Sequence, residues 1–214
     1  MRVAVLSDVH ANLRALHAVC ADIQRAGIEN VWCLGDFASG GGEPAECFDL
    51  TIETATVVLA GNHEQFVTGR VWEILDGGRA RQARLAHAAL GPARVDTLRA
   101  LPPHRVLPDL GVELVHGSLA DPWSGFVHDA ASAEATLARS SQPLVLAGHT
   151  HHAAHFRERS PGAVPQNVNI ELGREQPIIR TAILNPGATL DQRWLELRRD
   201  ATQWFATWHH AGVA

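Results

Sequence analysis

The chain opens on a short Val-rich run, Arg2 to Leu6, which stops at Ser7 and Asp8 and gives way at Asn12 to an Ala/Leu-rich helical pattern reaching about Ala26. A short apolar run followed by a capped run of helical period reads as strand, loop, helix. The unit recurs, with Asn30 to Leu34 as strand, Gly35 to Glu43 as a Gly-rich loop, Pro44 to about Thr54 as helix and Thr56 to Ala60 as strand. This alternation constrains the fold more than any other feature, because it implies a mainly parallel sheet with helices on its faces. In such sheets functional side chains gather in the loops beyond the carboxyl ends of the strands. Asp8, Asp36 and Asn62 all fall there.

From Gln65 to about Ala100 no strand is evident; Ala/Leu/Arg periodicity broken by Gly77, Gly78 and Gly91-Pro92 predicts two or three short helices. Strands follow at His104 to Leu107 and Gly111 to Val115, a helix from about Ala131 to Arg139, and a strongly apolar strand at Leu144 to Ala147. The remainder, about Ala153 to Trp208, alternates apolar and polar residues in at least four runs, as antiparallel meanders do, and predicts a second sheet packed on the first. With 214 residues, 46 % hydrophobic content, no repeat and no evident linker, the expected organisation is one domain over 1–214 carrying a helical insert at about 65–100.

A net charge of -5 with 19 % charged residues leaves no basic face for a long nucleic acid and no polybasic membrane signal. Three cysteines, Cys20, Cys33 and Cys47, lack CxxC spacing, which argues for a reducing compartment. No long apolar segment serves as a signal peptide or membrane span, so the expected location is cytoplasmic. Homo-oligomerisation stays open.

The 13 histidines carry more information. The polar residues just past the predicted strands are Asp8-Val9-His10, Gly35-Asp36, Gly61-Asn62-His63-Glu64, His116-Gly117 and Gly148-His149-Thr150-His151. All are ligand types for the divalent metals that assist hydrolysis, and an i,i+2 pair such as Asp8/His10 or His149/His151 can meet at one centre if the backbone turns. The neighbouring glycines permit such turns.

The ordered set D-x-H, GD, GNH-E, H-G and GHTH, from Asp8 to His151, resembles the calcineurin-like metallophosphoesterase superfamily. HGSLADPW at His116 to Trp123 and Asn185-Pro186-Gly187 further resemble its small bacterial and archaeal phosphodiesterases. The resemblance implies an α/β (α+β) fold, a four-layer α-β-β-α sandwich of two packed mixed sheets flanked by helices. It also implies two metal ions, one on Asp8, His10, Asp36 and His151 and the other on Asp36, Asn62, His116 and His149, with Asp36 bridging. A bridging hydroxide would then attack phosphorus in line with the leaving oxygen while the cations offset the developing charge. His63 would act as general acid, with Glu64 or another carboxylate to orient it, and Asn62 and His63 would also touch substrate. Mn, Fe, Zn, Co and Ni all suit such mixed N/O ligands.

Each residue alone has a plainer reading. A strand-end Asp is usually a cap or turn residue, and paired loop histidines are often only that. Trp123 either stacks on a substrate ring or packs in the core; His152 is a structural or cleft residue able to touch substrate, and His155 is structural or lines the cleft. His209 and His210 read as tail residues, Asn185 as a turn residue, and His87 as solvated. Arg79, Arg81 and Arg84 form either a solvated helix face or, on a lid, a second phosphate site; Arg81 and Arg84 are the substrate-binding candidates. The loop after Asp36 reads Phe37-Ala38-Ser39-Gly40-Gly41, where protein Ser/Thr phosphatases and symmetrical diadenosine tetraphosphatases carry Asp-Arg-Gly. That departure favours hydrolysis of a small-molecule phosphodiester or nucleotide. The alternatives are a phosphomonoesterase and a catalytically silent binding scaffold like the retromer subunit of the superfamily, against which the retained His63 counts.

Overall fold

The computed structural model describes residues 1–179, 181–201 and 203–212. In chain order the elements are β1 (Arg2–Leu6), α1 (Leu13–Arg25), β2 (Val31–Cys33), α2 (Pro44–Thr54), β3 (Val57–Val58), α3 (Asn62–Val67), α4 (Gly77–Ala100), β4 (His104–Leu107), β5 (Val112–Val115), α5 (Ala130–Leu137), β6 (Leu144–Ala147), β7 (Ala154–Arg157), β8 (Gln166–Asn167), β9 (Gln176–Ile178), β10 (Ala182–Asn185), β11 (Arg193–Asp200) and β12 (Gln203–His210). They form two six-stranded sheets, β3-β2-β1-β11-β12-β9 and β4-β5-β6-β10-β7-β8.

Strand periodicity builds three cores from these sheets. Successive side chains of a strand point to opposite faces. Val3 and Val5 of β1 therefore join Leu114, Leu144, Leu146 and Leu184 between the sheets, while Ala4 and Leu6 turn outward beneath α1 and α2. On the other side Val145, Ala147 and Ile183 pack against Ala133 and Leu137 of α5. The result is the expected four-layer α-β-β-α sandwich. Helix α1 starts where Asn12 Oδ1 accepts from the Ala15 amide at 3.0 Å, and Asp129 caps α5 through the Ser132 amide at 2.8 Å.

Strands β1, β2 and β3 run parallel, as do β5, β6 and β10. Two sets of carboxyl ends thus open on one edge of the sandwich, where the side-chain contacts below bring the loops after β1, β2 and β3 against those after β5 and β6.

Three local expectations need correction. The segment after Ala153 is no simple meander in the second sheet: β9, β11 and β12 join the first sheet, and β10 runs parallel to β6. Strand β11 pairs antiparallel with β1 and would otherwise leave that strand as an edge. It can sit there because it offers apolar side chains to both cores, Leu195 and Leu197 pointing between the sheets and Trp194 pointing toward α1, where its indole donates to Asp22 at 2.8 Å. His209 and His210 consequently belong to β12 rather than to a tail; His209 stacks on Trp194 at 4.1 Å. In the helical segment, α4 is 24 residues long and interrupted at Gly91, whose φ of 71° no helix accommodates. His87 is not solvated; its Nδ1 lies 2.8 Å from the Val67 carbonyl and its ring edges onto Trp72. Ala86, Leu90, Val95 and Leu98 bury the inner face of α4 in the outer core, which fixes the helix in place.

His155 of β7 lies between the sheets, stacked at 5.8 Å on Trp208, and is structural. Burial, aided by Arg157 and opposed by Gln176, pushes its pKa down from 6.5 to about 4. The unfolded chain therefore takes up this proton first, and stability falls as pH drops from about 6.5 to about 4, by up to about 3 kcal/mol. The substitution His155→Phe is expected to remove most of that slope. Urea melts of both proteins at pH 7 and pH 4.5 check this, and an unchanged slope in the variant would contradict it.

Candidate metal centre

The loops that carry the ligand candidates share an unusual backbone. Asp8, His10, Ala11, Asp36, His149 and His151 all take positive φ, between 50 and 66°. For residues with a Cβ this left-handed conformation costs energy and persists only where the surroundings enforce it. Here the loops enforce it on one another. The amides of Asp8, His10 and Ala11 donate to the carbonyls of Gly35, Asp36 and Phe37 at 3.0, 2.8 and 3.1 Å, zipping the D-x-H loop to the GD loop. The His149 amide donates to Asp8 Oδ2 at 3.0 Å, which ties the two sheets together at the site.

Two further side chains set the loop geometry. Glu64, fully buried, accepts four backbone N–H groups: Asp36 and Gly61 on Oε2, both at 2.7 Å, and Phe37 and Ala38 on Oε1 at 2.9 and 3.0 Å. It holds the Asp36 loop and makes no hydrogen bond to His63, so the orienting role expected for it is replaced by a backbone role. Burial and the Asp36 charge push its carboxyl up to about 7, opposed by those amides. Asn185 is likewise more than a turn residue, because its Nδ2 donates to the Gly148 carbonyl at 2.8 Å and to Thr150 Oγ1 at 3.1 Å. A Cβ on Gly61 would overlap Asp36 Oδ1 and His116, so glycine is required for this approach.

All seven ligand candidates are brought together. Asp8, His10 and His151 form one group of converging donor atoms, Asp36, His116 and His149 a second, and His10, Asp36 and His63 a third. His116 Nε2 lies 3.0 Å from Asn62 Oδ1, 3.2 Å from His149 Nδ1 and 3.4 Å from Asp36 Oδ2. His10 Nε2 is 2.9 Å from His151 Nε2, and His151 Nε2 is 3.4 Å from Asp8 Oδ1. Asn62 reaches the group from the first turn of α3 rather than from a loop.

This donor set fits cations. His116 Nδ1 is 2.9 Å from the Leu34 carbonyl, which can only accept, so the N–H sits there and, in the neutral imidazole that binds a cation, Nε2 presents a lone pair. That lone pair faces a carboxylate, an amide oxygen and another imidazole nitrogen. Ligands held about 2.1 Å from one ion lie about 3.0–3.4 Å from each other, the spacing seen at His116. Asp8 Oδ1, buried, has no hydrogen-bond partner.

The electrostatics demand positive charge. Burial pushes His116 down, but Asp36 and Asp8 outweigh it and raise its pKa to about 9, so a proton stands in for a cation. Burial works against the Asp36 and Asp8 charges, yet His116 holds Asp36 below the usual carboxylate range, and His151 with His116 does the same for Asp8. Burial lowers the His63 pKa, partly offset by Asp36. The His63 amide donates to Asp36 Oδ1 at 2.8 Å, and its ring stands edge-on to His10 at 4.5 Å.

The substrate candidates are less concentrated. Trp123 is half-buried in the loop after His116, its amide donating to Asp121, and His152 is exposed beside the GHTH turn. Arg84 lies over the Trp72 ring at 5.0 Å. Together with Arg81 it lines a shallow groove with Gly77, Ala80 and Leu85, which contains none of the ligand candidates. Two phenylalanines that the sequence did not single out stand beside the site. Phe126 lies 4.3 Å from the His149 ring and Phe66 lies 5.3 Å from the His63 ring. The three-residue spacing of Gly61 and Glu64 and the NPG turn at Asn185 were the available signals for the two positioning side chains; Phe126 had none.

Comparison with known proteins agrees with this geometry. The chain is similar to the crystal structure of a metallophosphoesterase from Sphaerobacter thermophilus, with a TM-score of 0.83, 28 % identity and coverage of 99 % of this chain and 89 % of that one. It shares its fold with a hypothetical protein of Pyrococcus horikoshii OT3, at a TM-score of 0.75, 16 % identity and coverage of 98 and 88 %. An uncharacterized protein of Methanocaldococcus jannaschii is 43 % identical over 68 residues, a match that spans 32 % of this chain and only 28 % of that protein's length. The model of the calcineurin-like phosphoesterase superfamily domain matches residues 1–201, and the chain belongs to that superfamily.

Proposed function

We propose that the chain is a dinuclear metal-dependent phosphodiesterase acting on small molecules. The observation that carries this reading is the position of Asp36, whose carboxylate converges with His10 and His63 on one side and with His116 and His149 on the other. Asp8, His10, Asp36 and His151 would hold one ion, and Asp36, Asn62, His116 and His149 the other. Bound ions of this kind supply Lewis acidity and a water of lowered pKa. His63, fixed by its amide to Asp36, would deliver a proton to the leaving oxygen. Glu64 and Asn185 would keep the loops in register, and Asn62 would orient the phosphoryl group.

Charge supports a diester. A phosphate monoester carries about -1.5 to -2 near neutral pH, a diester only one negative charge. Among the described residues no arginine makes a hydrogen bond or ion pair with the ligand set, and the loop that bears Arg in the phosphatases is Phe37-Ala38-Ser39-Gly40 here. Phe37 and Ala38 are buried, and Gly40 packs on His10.

With Mn²⁺ added, the protein is expected to hydrolyse bis-p-nitrophenyl phosphate and to lose that activity in chelator. The substitution His63→Ala is expected to retain bound metal while turnover of an alkyl diester, a poor leaving group, falls by about 10²- to 10⁴-fold. Full kcat in that variant would remove His63 from the reaction. Absence of turnover with every divalent metal, in folded protein, would favour the silent scaffold.

A further inference from the structure

We propose that Phe126 is a stacking platform for a flat aromatic ring carried by the phosphate ester, so that the site selects aromatic over alkyl esters; this rests on the phosphoesterase reading above. Phe126 is 53 % exposed although its ring lies only 4.3 Å from that of His149, tilted by 35°. A large apolar side chain left open to solvent beside converging metal-ligand atoms loses hydrophobic burial that a bound ring would restore.

The loop that presents it is closely wound. The Gly117 amide donates to the Pro122 carbonyl at 2.9 Å, and the Ser118 and Gly125 amides both donate to the Asp121 carbonyl at 3.0 Å. The Trp123 and Ser124 amides donate to the Asp121 carboxylate, each at 3.1 Å. A Cβ on Gly117 would crowd Asp121 and Gly125, and one on Gly125 would overlap Ser118. These contacts hold the turn just before Phe126 in one shape. Val127, next in sequence, is buried under α5 and anchors the far side. The backbone that carries the phenyl ring is therefore held in advance of binding, with the ring itself against His149, and a pre-positioned aromatic face loses little entropy on stacking. Phe66, whose ring lies 5.3 Å from that of His63, is a second aromatic side chain next to the converging donors.

The test reads binding, independently of turnover. Isothermal titration of Mn²⁺-loaded protein would compare phenylphosphonate with methylphosphonate, and adenosine 5′-thiophosphate with methyl thiophosphate. Wild type is expected to prefer the aromatic member of at least one pair by about 5- to 10-fold. Preference in the first pair places the ring directly on the phosphoryl group; preference in the second alone places it across a ribose. The substitution Phe126→Ala is expected to erase the preference and Phe126→Tyr to keep it. Equal weakening of both members of a pair, a preference that survives Phe126→Ala, no preference or no binding in wild type, or loss of bound metal in Phe126→Ala would each overturn the proposal. Selective binding without turnover of any ester would instead leave the stacking role standing and sink the catalytic reading.

Discussion

The substitution Asp36→Asn is expected to weaken metal binding by more than about 100-fold and to reduce turnover by at least about 10³-fold, without unfolding the protein. Loss of a side chain that only supports a ligand costs 10- to 100-fold in affinity, so removal of a ligand shared between two donor groups sets that range as a floor. The fold should survive because asparagine keeps the shape and can keep its Oδ1 on the His63 amide, the 2.8 Å contact of the native carboxylate. The other atom becomes a donor. It would face His116 Nε2, now 3.4 Å from Asp36 Oδ2, and a hydrogen bond there occupies the lone pair that a cation needs. Wild-type melting temperature should rise with added Mn²⁺, because a ligand of the native state stabilises it by mass action; the variant's should not. Metal content measured by plasma mass spectrometry gives the same comparison directly. Wild-type stoichiometry in Asp36→Asn would refute the shared-ligand assignment.

The largest stability effect is expected at Glu64. Four amides end on its two oxygens in a fully buried setting, and each buried donor left without an acceptor costs about 1–3 kcal/mol. The substitution Glu64→Gln can satisfy only one pair, either Asp36 and Gly61 or Phe37 and Ala38, and turns an NH₂ group on the other. A loss of about 3 kcal/mol or more is expected, a large share of a domain's total stability. Glu64→Ala, which orphans both pairs, should be worse and is best measured at low temperature. Denaturant titrations of metal-free protein isolate this effect from metal binding. A Glu64→Gln variant within about 0.5 kcal/mol of wild type would mean that solvent or a shifted loop satisfies the amides.

Much of the molecule was legible from its residues in order. The βα units at the N-terminus and the helical segment after Gln65 follow from periodicity, because strand and helix repeats differ and each strand end is marked by a polar residue; the two-sheet sandwich was implied by the family resemblance. The ligand candidates were legible for the same reason: Asp8, Asp36, His116 and His149 sit directly past apolar runs. The destination of the late strands was not. Strand β11 has an apolar residue for each of two cores, and nothing local says that its partner is β1, nearly the whole chain away.

What the sequence by itself determined, then, is the run of N-terminal βα units and the set of donor atoms, since both depend on local pattern. The tertiary structure alone decided three other things. It placed Glu64 on the Asp36 loop instead of on His63, because four amides from two loops converge where only a buried carboxylate can answer them. It set Arg81 and Arg84 along a groove with Gly77, Ala80 and Leu85, because the inner face of α4 is buried and turns those side chains outward. It brought Phe126 to His149, a contact between two loops after different strands that no spacing encodes. Donor identity is a property of single residues, whereas convergence depends on long-range packing, and the chemistry of this site requires both.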